Sequence, residues 1–248
     1  MVHDRSDPSG TSAIQSVSRR RSERNYALAA RYVRNRRVLD IGPGYGFGYE
    51  HLLARNPDEI VCMDYFSDAQ SKFLHSDKRV SFVVGDFLDN DFEDASFDTI
   101  LCIATIYYFQ DHARFLAQVK RLLKPGGRLV INNFDGDLIR RFFGAELTDL
   151  DPRYGRMFGG REFAGLLEDT FGTRPRHYVQ SPVRVGNPLA FLASSATLPL
   201  RLLLGEPALL PHRPGLKGIY NYFIVRNEIA EHEPMIPQAI SEAVEVPA

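Results

Sequence analysis

The stretch that most constrains the fold is residues 37–48, which read RVLDIGPGYGFG. The apolar side chains within residues 38–41 have the pattern of a buried strand. Glycines then recur at every second position, which lets the backbone turn tightly and approach a ligand closely. Residues 47–55 predict a helix that ends before Pro57. The chain is therefore predicted to contain a strand, turn and helix unit that holds a ligand.

The glycine pattern differs from the fingerprint of dinucleotide-binding proteins. Gly42 and Gly44 fit the first two glycines of G-x-G-x-x-G, but Phe47 stands at the third position. The strand instead carries a carboxylate, Asp40, two residues before the first glycine. This charge would repel a pyrophosphate and attract a ligand that carries an ammonium and a sulfonium. The charge pattern favours a cationic ligand over a phosphate.

Residues 40–46 resemble motif I of the class I S-adenosylmethionine-dependent methyltransferases. The resemblance extends over about residues 23–133, and it implies that S-adenosylmethionine (SAM) is the cofactor and S-adenosylhomocysteine (SAH) the product. In that family the acidic residue and the glycine turn bind the methionine half of the cofactor. The residues that correspond to them here are Asp40, Gly42, Pro43 and Gly44.

Three further strand ends carry residues that the resemblance assigns to the cofactor. The second strand ends in Asp64, about 24 residues after the first acid, which is close to the interval at which nucleotide-binding units place an acid on the ribose hydroxyls. Tyr65 and Phe66 follow, and a planar side chain there is expected to stack on the adenine, with a core role for one of the pair as the alternative. The resemblance assigns Asp86 to the adenine amino group and the backbone amide of Phe87 to a ring nitrogen. Ile103, at the end of the fourth strand, is also expected beside the cofactor.

The segment after the fourth strand holds the candidates for catalysis. Members of the family often carry a glutamate or a histidine there, whereas this chain has Ala104, Tyr107 and Tyr108. With an unperturbed pKa near ~10, a tyrosine is better suited to orient an acceptor or form an apolar wall than to act as a base. Asp135, after the fifth strand, is the third candidate, with helix capping as the alternative. His212 is either a base or an exposed loop histidine.

The alternation of strands and helices up to about residue 133 predicts a doubly wound, Rossmann-like α/β sheet. Seven strands are expected, mostly parallel with an antiparallel edge strand, and the last two strands of the chain should pair antiparallel. A helix predicted over residues 17–33 precedes the sheet and places Tyr26 either on the cofactor or against the sheet. Ligands of such sheets bind beyond the carboxyl ends of the strands.

One apolar segment separates the last two predicted strands. It is interrupted by a proline and an arginine, so it is not predicted to span a membrane. It is expected to form a lid, a homodimer surface or a membrane-surface contact. The predicted parts of the chain are a disordered N-terminus (1–15), a methyltransferase domain (16–227) with substrate-side insertions (134–158 and 182–216), and a disordered acidic tail (228–248).

Composition narrows the class of protein. A chain of 248 residues, 44% hydrophobic and 25% charged, suits one α/β domain with a substantial core. The net charge of -1 gives no bulk reason to expect a nucleic-acid partner. Cys62 and Cys102 lie in apolar runs without metal-ligand spacing, which predicts reduced core residues and no metal site. The first residues lack the apolar core of a signal peptide, so a cytoplasmic location is expected.

The sequence thus predicts an enzyme that transfers a methyl group from SAM to an oxygen or nitrogen of a small, partly hydrophobic molecule. The resemblance suggests secondary-metabolite biosynthesis as the setting. Two alternatives remain open: a SAM-binding enzyme that catalyses a cyclisation, rearrangement or decarboxylation, and a non-catalytic partner module of the same fold. Production of SAH would separate methyl transfer from the first alternative, and the intact acidic residues at the strand ends argue against the second.

Overall fold

The computed structural model describes residues 13–67, 70, 73, 76–144, 154–184, 196, 209–213 and 216–227. The helices within these residues are α1 (Ala13–Ala29), α2 (Tyr49–Leu53), α3 (His112–Leu122), α4 (Gly136–Phe143) and α5 (Gly160–Phe171). The strands are β1 (Arg37–Ile41), β2 (Glu59–Asp64), β3 (Val80–Val84), β4 (Phe97–Cys102), β5 (Leu123–Phe134), β6 (Arg176–Arg184), β7 (Leu209–Pro211) and β8 (Leu216–Arg226). Short 3-10 turns lie at Ala30–Tyr32, Phe87–Asp89 and Ile106–Tyr108.

All eight strands form one sheet in the order β3-β2-β1-β4-β5-β8-β6-β7. The five strands from β3 to β5 are parallel, and β8 then pairs antiparallel with both β5 and β6. The strand order reverses direction between β1 and β4, which makes this the topological switch point where ligands of doubly wound folds bind. The predicted Rossmann-like α/β architecture is confirmed.

Within the described residues the sheet has eight strands, where seven were predicted. The additional strand is β7, which falls in the segment predicted as an insertion and pairs with β6 through Leu210 and Val179. The antiparallel pairing of the last two predicted strands is confirmed by partners such as His177 and Phe223. However, β8 lies inside the sheet, so three strands and not one make up its antiparallel part. A three-residue strand carries too little alternation for a sequence pattern to reveal it.

Several helix boundaries differ from the predicted ones. Helix α1 begins at Ala13, inside the segment that was predicted to be disordered. Helix α2 begins at Tyr49, two residues later than predicted, because Gly48 has a left-handed φ of 92° and cannot continue a helix backwards. The predictions for residues 1–12 and 228–248, for most of 182–216 and for most of the helix after Ser67 lie outside the described residues.

Two hydrophobic clusters cover the two faces of the sheet. One lies under α3 and α5 and is centred on buried phenylalanines such as Phe115, Phe163 and Phe223. The other lies under α1 and α2 and is rich in tyrosines, including Tyr26, Tyr49 and Tyr222. The second cluster thus brings hydroxyl groups to the face that α1 covers. Among the described helices, none has the length and apolarity to cross a membrane.

Candidate active site

The glycine turn after β1 has a backbone that only glycine adopts without strain. Gly42, Gly44, Gly46 and Gly48 all have positive φ values, between 60° and 92°. The Gly42 amide donates to the Met63 carbonyl at 2.8 Å, which fixes the turn to the end of β2. A Cβ atom at Gly42 would overlap the Thr105 side chain, whereas one at Gly44 would meet open space. The turn therefore leaves a cradle that a side chain would fill.

Asp40 lies under this turn and is completely buried. The Tyr26 hydroxyl donates to its Oδ2 at 2.8 Å, and the Tyr49 hydroxyl donates to the same atom. Its Oδ1 is buried without a hydrogen-bond partner. Burial raises the pKa of Asp40 to about 7, although the Tyr49 and Tyr26 hydroxyls partly offset this effect. A buried carboxylate oxygen without a partner favours a cationic hydrogen-bond donor as its ligand.

Asp64, at the end of β2, is also buried, with 6% of its surface exposed. Its Oδ1 accepts a hydrogen bond from the Phe66 amide at 3.2 Å. The two aromatic side chains that follow it are exposed, Tyr65 at 67% and Phe66 at 42%. A buried acid beside exposed aromatic faces is a combination that fits a ribose and its attached base. The core alternative for Tyr65 is therefore wrong.

Asp86 and Phe87 follow the end of β3, and their side chains have different surroundings. Asp86 is exposed, and its Oδ1 accepts from the Leu88 amide at 2.8 Å, so it caps the 3-10 turn that follows. The Phe87 ring is buried and packs against Phe109 and Phe115 at centroid distances of 6.1 and 5.2 Å. Only its backbone amide is thus suited to the predicted contact with a ligand.

The end of β4 is fastened to the glycine turn. Ile103 is buried at 5% exposure, and Ala104 has a positive φ of 56°. The Ala104 amide donates to Asn132 Oδ1 at 2.5 Å, and the Thr105 hydroxyl donates to the Gly42 carbonyl at 3.2 Å. A non-glycine residue in the left-handed region is strained, and such strain collects at functional sites. These two hydrogen bonds join the segment after β4 to β5 and to the glycine turn.

Comparison with known proteins bears on this arrangement. Residues 39–131 match a family model described as a methyltransferase domain. An O-methyltransferase from Aspergillus nomiae is 30% identical over 177 residues, which cover 66% of this chain and 76% of that protein. The chain belongs to the class I S-adenosylmethionine-dependent methyltransferases. A demethylmenaquinone methyltransferase from Deinococcus radiodurans is 34% identical over 137 residues, 50% of this chain, and the chain spans only about half (55%) of its length.

A solved structure agrees with the fold of this methyltransferase. A SAM-dependent methyltransferase from Thermotoga maritima superimposes with a TM-score of 0.61 at 17% identity, covering 86% of this chain and 92% of that one. Members of the family to which this chain belongs take their methyl group from SAM. The residues at the switch point fit SAM, because the buried Asp40 Oδ1 without a partner favours a cationic group and the glycine turn leaves room for a ligand.

The methyltransferase carries a group of aromatic rings around the ends of β4 and β5. Tyr107 is buried, whereas Tyr108 is 51% exposed. The Tyr108 and Tyr154 rings stack at 5.4 Å with an angle of 26° between their planes, and Phe134 joins Tyr107 to Tyr220 at 5.0 and 4.7 Å. We call this group the aromatic cluster. Its members are Tyr107, Tyr108, Phe134, Tyr154 and Tyr220.

The contacts of Asp135 are structural hydrogen bonds, which differ from those expected of the predicted catalytic residue. It is 1% exposed and caps α4 through the Leu138 amide at 3.0 Å. Its Oδ2 also accepts from the Gly160 amide at 3.1 Å and from Asn221 Nδ2 at 3.0 Å. The carboxylate is therefore occupied in joining β5, α4, α5 and β8. These contacts favour the capping alternative, and contact with an acceptor stays a prediction.

His212 lies in contact with a second histidine, His177. Its ring stacks on His177 at 4.3 Å with an interplanar angle of 8°, and His177 Nε2 hydrogen bonds to Asn221 Oδ1 at 2.8 Å. Burial lowers the pKa of both imidazoles, that of His177 to about 4. Both rings are thus neutral at neutral pH. Its contacts fit packing between β6 and β7 better than the predicted role as a base.

Sequence reasoning missed three residues of the site. Tyr49 was read only as part of a helix, yet its hydroxyl binds Asp40. The sequence indicates only a strand at Asn132, yet its side-chain oxygen accepts a hydrogen bond from the Ala104 backbone amide. The role of Thr105 depends on a contact with a residue 63 positions earlier in the chain. The only signal for Tyr49 is that a polar hydroxyl occupies the buried side of a short amphipathic helix.

Proposed function

We propose that this methyltransferase transfers the methyl group of SAM to an oxygen or nitrogen of a small, partly hydrophobic molecule. The observation that carries the proposal is the aromatic cluster at the ends of β4 and β5. Aromatic rings bind flat apolar surfaces and suit a small molecule better than a highly charged polymer. Biosynthesis of a secondary metabolite is proposed as the setting, and the demethylmenaquinone methyltransferase is a relative whose name states a small-molecule acceptor.

The residues at each strand end are assigned to a different part of the cofactor. We assign the ammonium end to Asp40 and to the turn of Gly42, Pro43 and Gly44. We assign the ribose to Asp64 and the adenine to the exposed Tyr65 face. Asp86 and the Phe87 amide complete the adenine site, and Tyr26 acts through its hydrogen bond to the first of these acids. The sulfonium of the bound donor supplies an already activated methyl group.

The protein's contribution to the reaction is then mainly alignment. Holding two reactants in attack geometry supplies about 7 to 11 kcal/mol of the barrier. Tyr107 is a poor base, because burial raises the pKa of its hydroxyl well above the ordinary value of 10.0. Tyr108 is half exposed, and its ring stacks on Tyr154. We therefore infer that the acceptor is a neutral amine or a hydroxyl that is acidic in its own right, so that no strong base is needed.

The experiment that tests this proposal has two stages. Calorimetric titration of SAM and SAH, with NAD as control, into wild-type protein and Asp64→Ala measures the cofactor site. Micromolar binding of both sulfur ligands that the variant loses supports the assignment of Asp64. Mass spectrometry of reactions with phenolic and amine acceptors then detects SAH and a product heavier by one methyl group. Conversion of an added substrate without formation of SAH would favour the non-methylating alternative, and binding of NAD alone would overturn the proposal.

A further inference from the structure

Helix α1 contacts the two halves of the site through two different faces. One face touches the glycine turn: Arg19 lies over the Phe47 ring at 5.2 Å, and the Ser22 hydroxyl donates to the Phe47 carbonyl at 3.2 Å. Tyr26, one turn further along the helix, reaches Asp40 on the same side. Residues 19, 22 and 26 repeat at helical spacing, so this face of α1 serves the cofactor half.

The other face of α1 points to β8 and the aromatic cluster. The Arg21 guanidinium donates a hydrogen bond to the Tyr220 hydroxyl and lies 5.1 Å from the centre of that ring. It also lies 6.0 Å from the centre of the Phe134 ring. Asn25, four residues later, is 2% exposed and accepts from the Tyr222 hydroxyl. Arg21 therefore belongs to the acceptor half of the site.

Arg21 differs from Arg37 and Arg79, two other partly buried arginines, in having no carboxylate partner among the described residues. Arg37 pairs with Glu59 at 2.7 Å, and Arg79 pairs with Asp77 at 2.8 Å. Within the described residues no acid pairs with Arg21, and its guanidinium contacts the Tyr220 hydroxyl and the rings of Tyr220 and Phe134 instead. A partly buried cation without a counter-charge is costly unless a ligand supplies one.

We propose that Arg21 binds a carboxylate of the acceptor, so that the acceptor is a planar aromatic acid whose ring lies against the aromatic cluster. The inference rests on the proposed function and adds the class of acceptor to it. A guanidinium presents a planar fork that matches a carboxylate through two hydrogen bonds. The Tyr220 hydroxyl and the two neighbouring rings fix the plane of that fork before the ligand arrives. Arg21 is thus a specificity-determining residue.

A carboxylate in this site has two possible sources, the acceptor and the methionine part of the cofactor. The contacts of α1 favour the acceptor, because Arg21 touches residues of β5 and β8. The cofactor residues lie instead at the ends of β1 to β4. Helix residues that face the glycine turn are Arg19, Ser22 and Tyr26, on the other side of α1.

The test compares matched acids and amides as probes on SAH-saturated protein. Hydroxybenzoate, hydroxycinnamate and anthranilate are each titrated against the corresponding primary amide, with wild type, Arg21→Gln and Arg20→Gln. Arg20 is exposed on the same helix and is the control for loss of one positive charge. In the wild type and in Arg20→Gln at least one acid should bind about 10-fold or more tighter than its amide. Arg21→Gln should remove that difference and leave SAH affinity within about two-fold.

Two further variants keep the test decisive if Arg21→Gln folds poorly. Arg21→Lys keeps the charge but loses the planar fork, and Tyr220→Phe removes the hydroxyl that orients it. Both should weaken binding of the acid and spare that of its amide. Equal binding of acids and amides, no binding of any acid, or a loss of SAH affinity in Arg21→Gln would overturn the inference. The proposed function fails separately, through absence of SAM binding or of SAH production with any acceptor.

Discussion

Replacing Asp40 by asparagine tests the electrostatics of the glycine turn. The carboxyl is fully buried, and burial raises its pKa from the ordinary 3.8 to about 7. At about 1.4 kcal/mol for each pKa unit, ionising this group inside the fold costs about 4 kcal/mol. Asparagine has the shape of the protonated carboxyl and does not ionise. The variant therefore avoids this cost, although its side-chain amide nitrogen takes the place of Oδ1 and has no hydrogen-bond partner there.

The sign of the pH dependence follows from the direction of the shift. Because the folded pKa lies above the unfolded one, the unfolded chain releases this proton first as the pH rises. Stability from Asp40 is thus lost through the window from 3.8 to about 7. Between about pH 5 and about pH 8 the wild type should lose about 2 to 3 kcal/mol from this group, and Asp40→Asn none of it.

Urea unfolding of both proteins at the two pH values measures this difference. Asp58→Asn changes an exposed carboxyl in the same way and should follow the wild type. The ligand provides a second measurement, because an ammonium beside Asp40 favours the ionised carboxylate. Binding of SAH near neutral pH should release a proton from the wild type and none from Asp40→Asn, as calorimetry in buffers of different ionisation enthalpy will report. Parallel stability profiles for wild type and Asp40→Asn would refute the reasoning.

Four other substitutions have expected outcomes. Gly42→Ala should lower the free energy of unfolding by about 3 kcal/mol and abolish SAH binding, since its Cβ would overlap a neighbouring side chain. At Gly44 the added Cβ meets open space, so Gly44→Ala should lower it by only about 1 to 2 kcal/mol, through the positive φ alone. Urea unfolding compares the stabilities of the two variants, and calorimetry compares their SAH binding. Asp135→Asn should lower the free energy of unfolding by about 2 to 4 kcal/mol, and a selective loss of kcat at unchanged stability would restore its predicted catalytic role. Tyr108→Phe keeps the stacked ring, so steady-state turnover should fall less than about ten-fold, and a ~10⁴-fold loss would show that the hydroxyl acts chemically.

The parallel half of the fold could be predicted because its signals are local. Asp40 and the glycines after it stand next to each other in the chain, and Asp64 and Asp86 each follow a short apolar run. In a parallel sheet these positions meet at one edge whatever the details of packing. The cofactor half of the site can therefore be predicted from short stretches of sequence.

The acceptor half could not be predicted in the same way, because its contacts join distant parts of the chain. Arg21 and Tyr220 are 199 residues apart, and Asp135 meets Asn221 across 86 residues. The segment Leu209–Pro211 is recognised as a strand only through its pairing with β6. Nothing in the local pattern of Arg21 distinguishes it from its neighbours in an arginine-rich helix. Its role emerges only when β8 is placed beside β5.

The two faces of α1 also imply that the two ligands assist each other. Most of the stability of a helix in a protein comes from tertiary packing, so the order of α1 depends on its contacts with the sheet and the glycine turn. A cofactor that tightens the contact of Tyr26 with Asp40 reduces the disorder that an acceptor at Arg21 must remove, and the coupling is reciprocal. SAH should therefore increase the affinity for an aromatic acid and slow amide hydrogen exchange along α1. Equal affinity with and without SAH would mean that α1 is already rigid, because a helix that is fully ordered has no entropy left to share between its two sites.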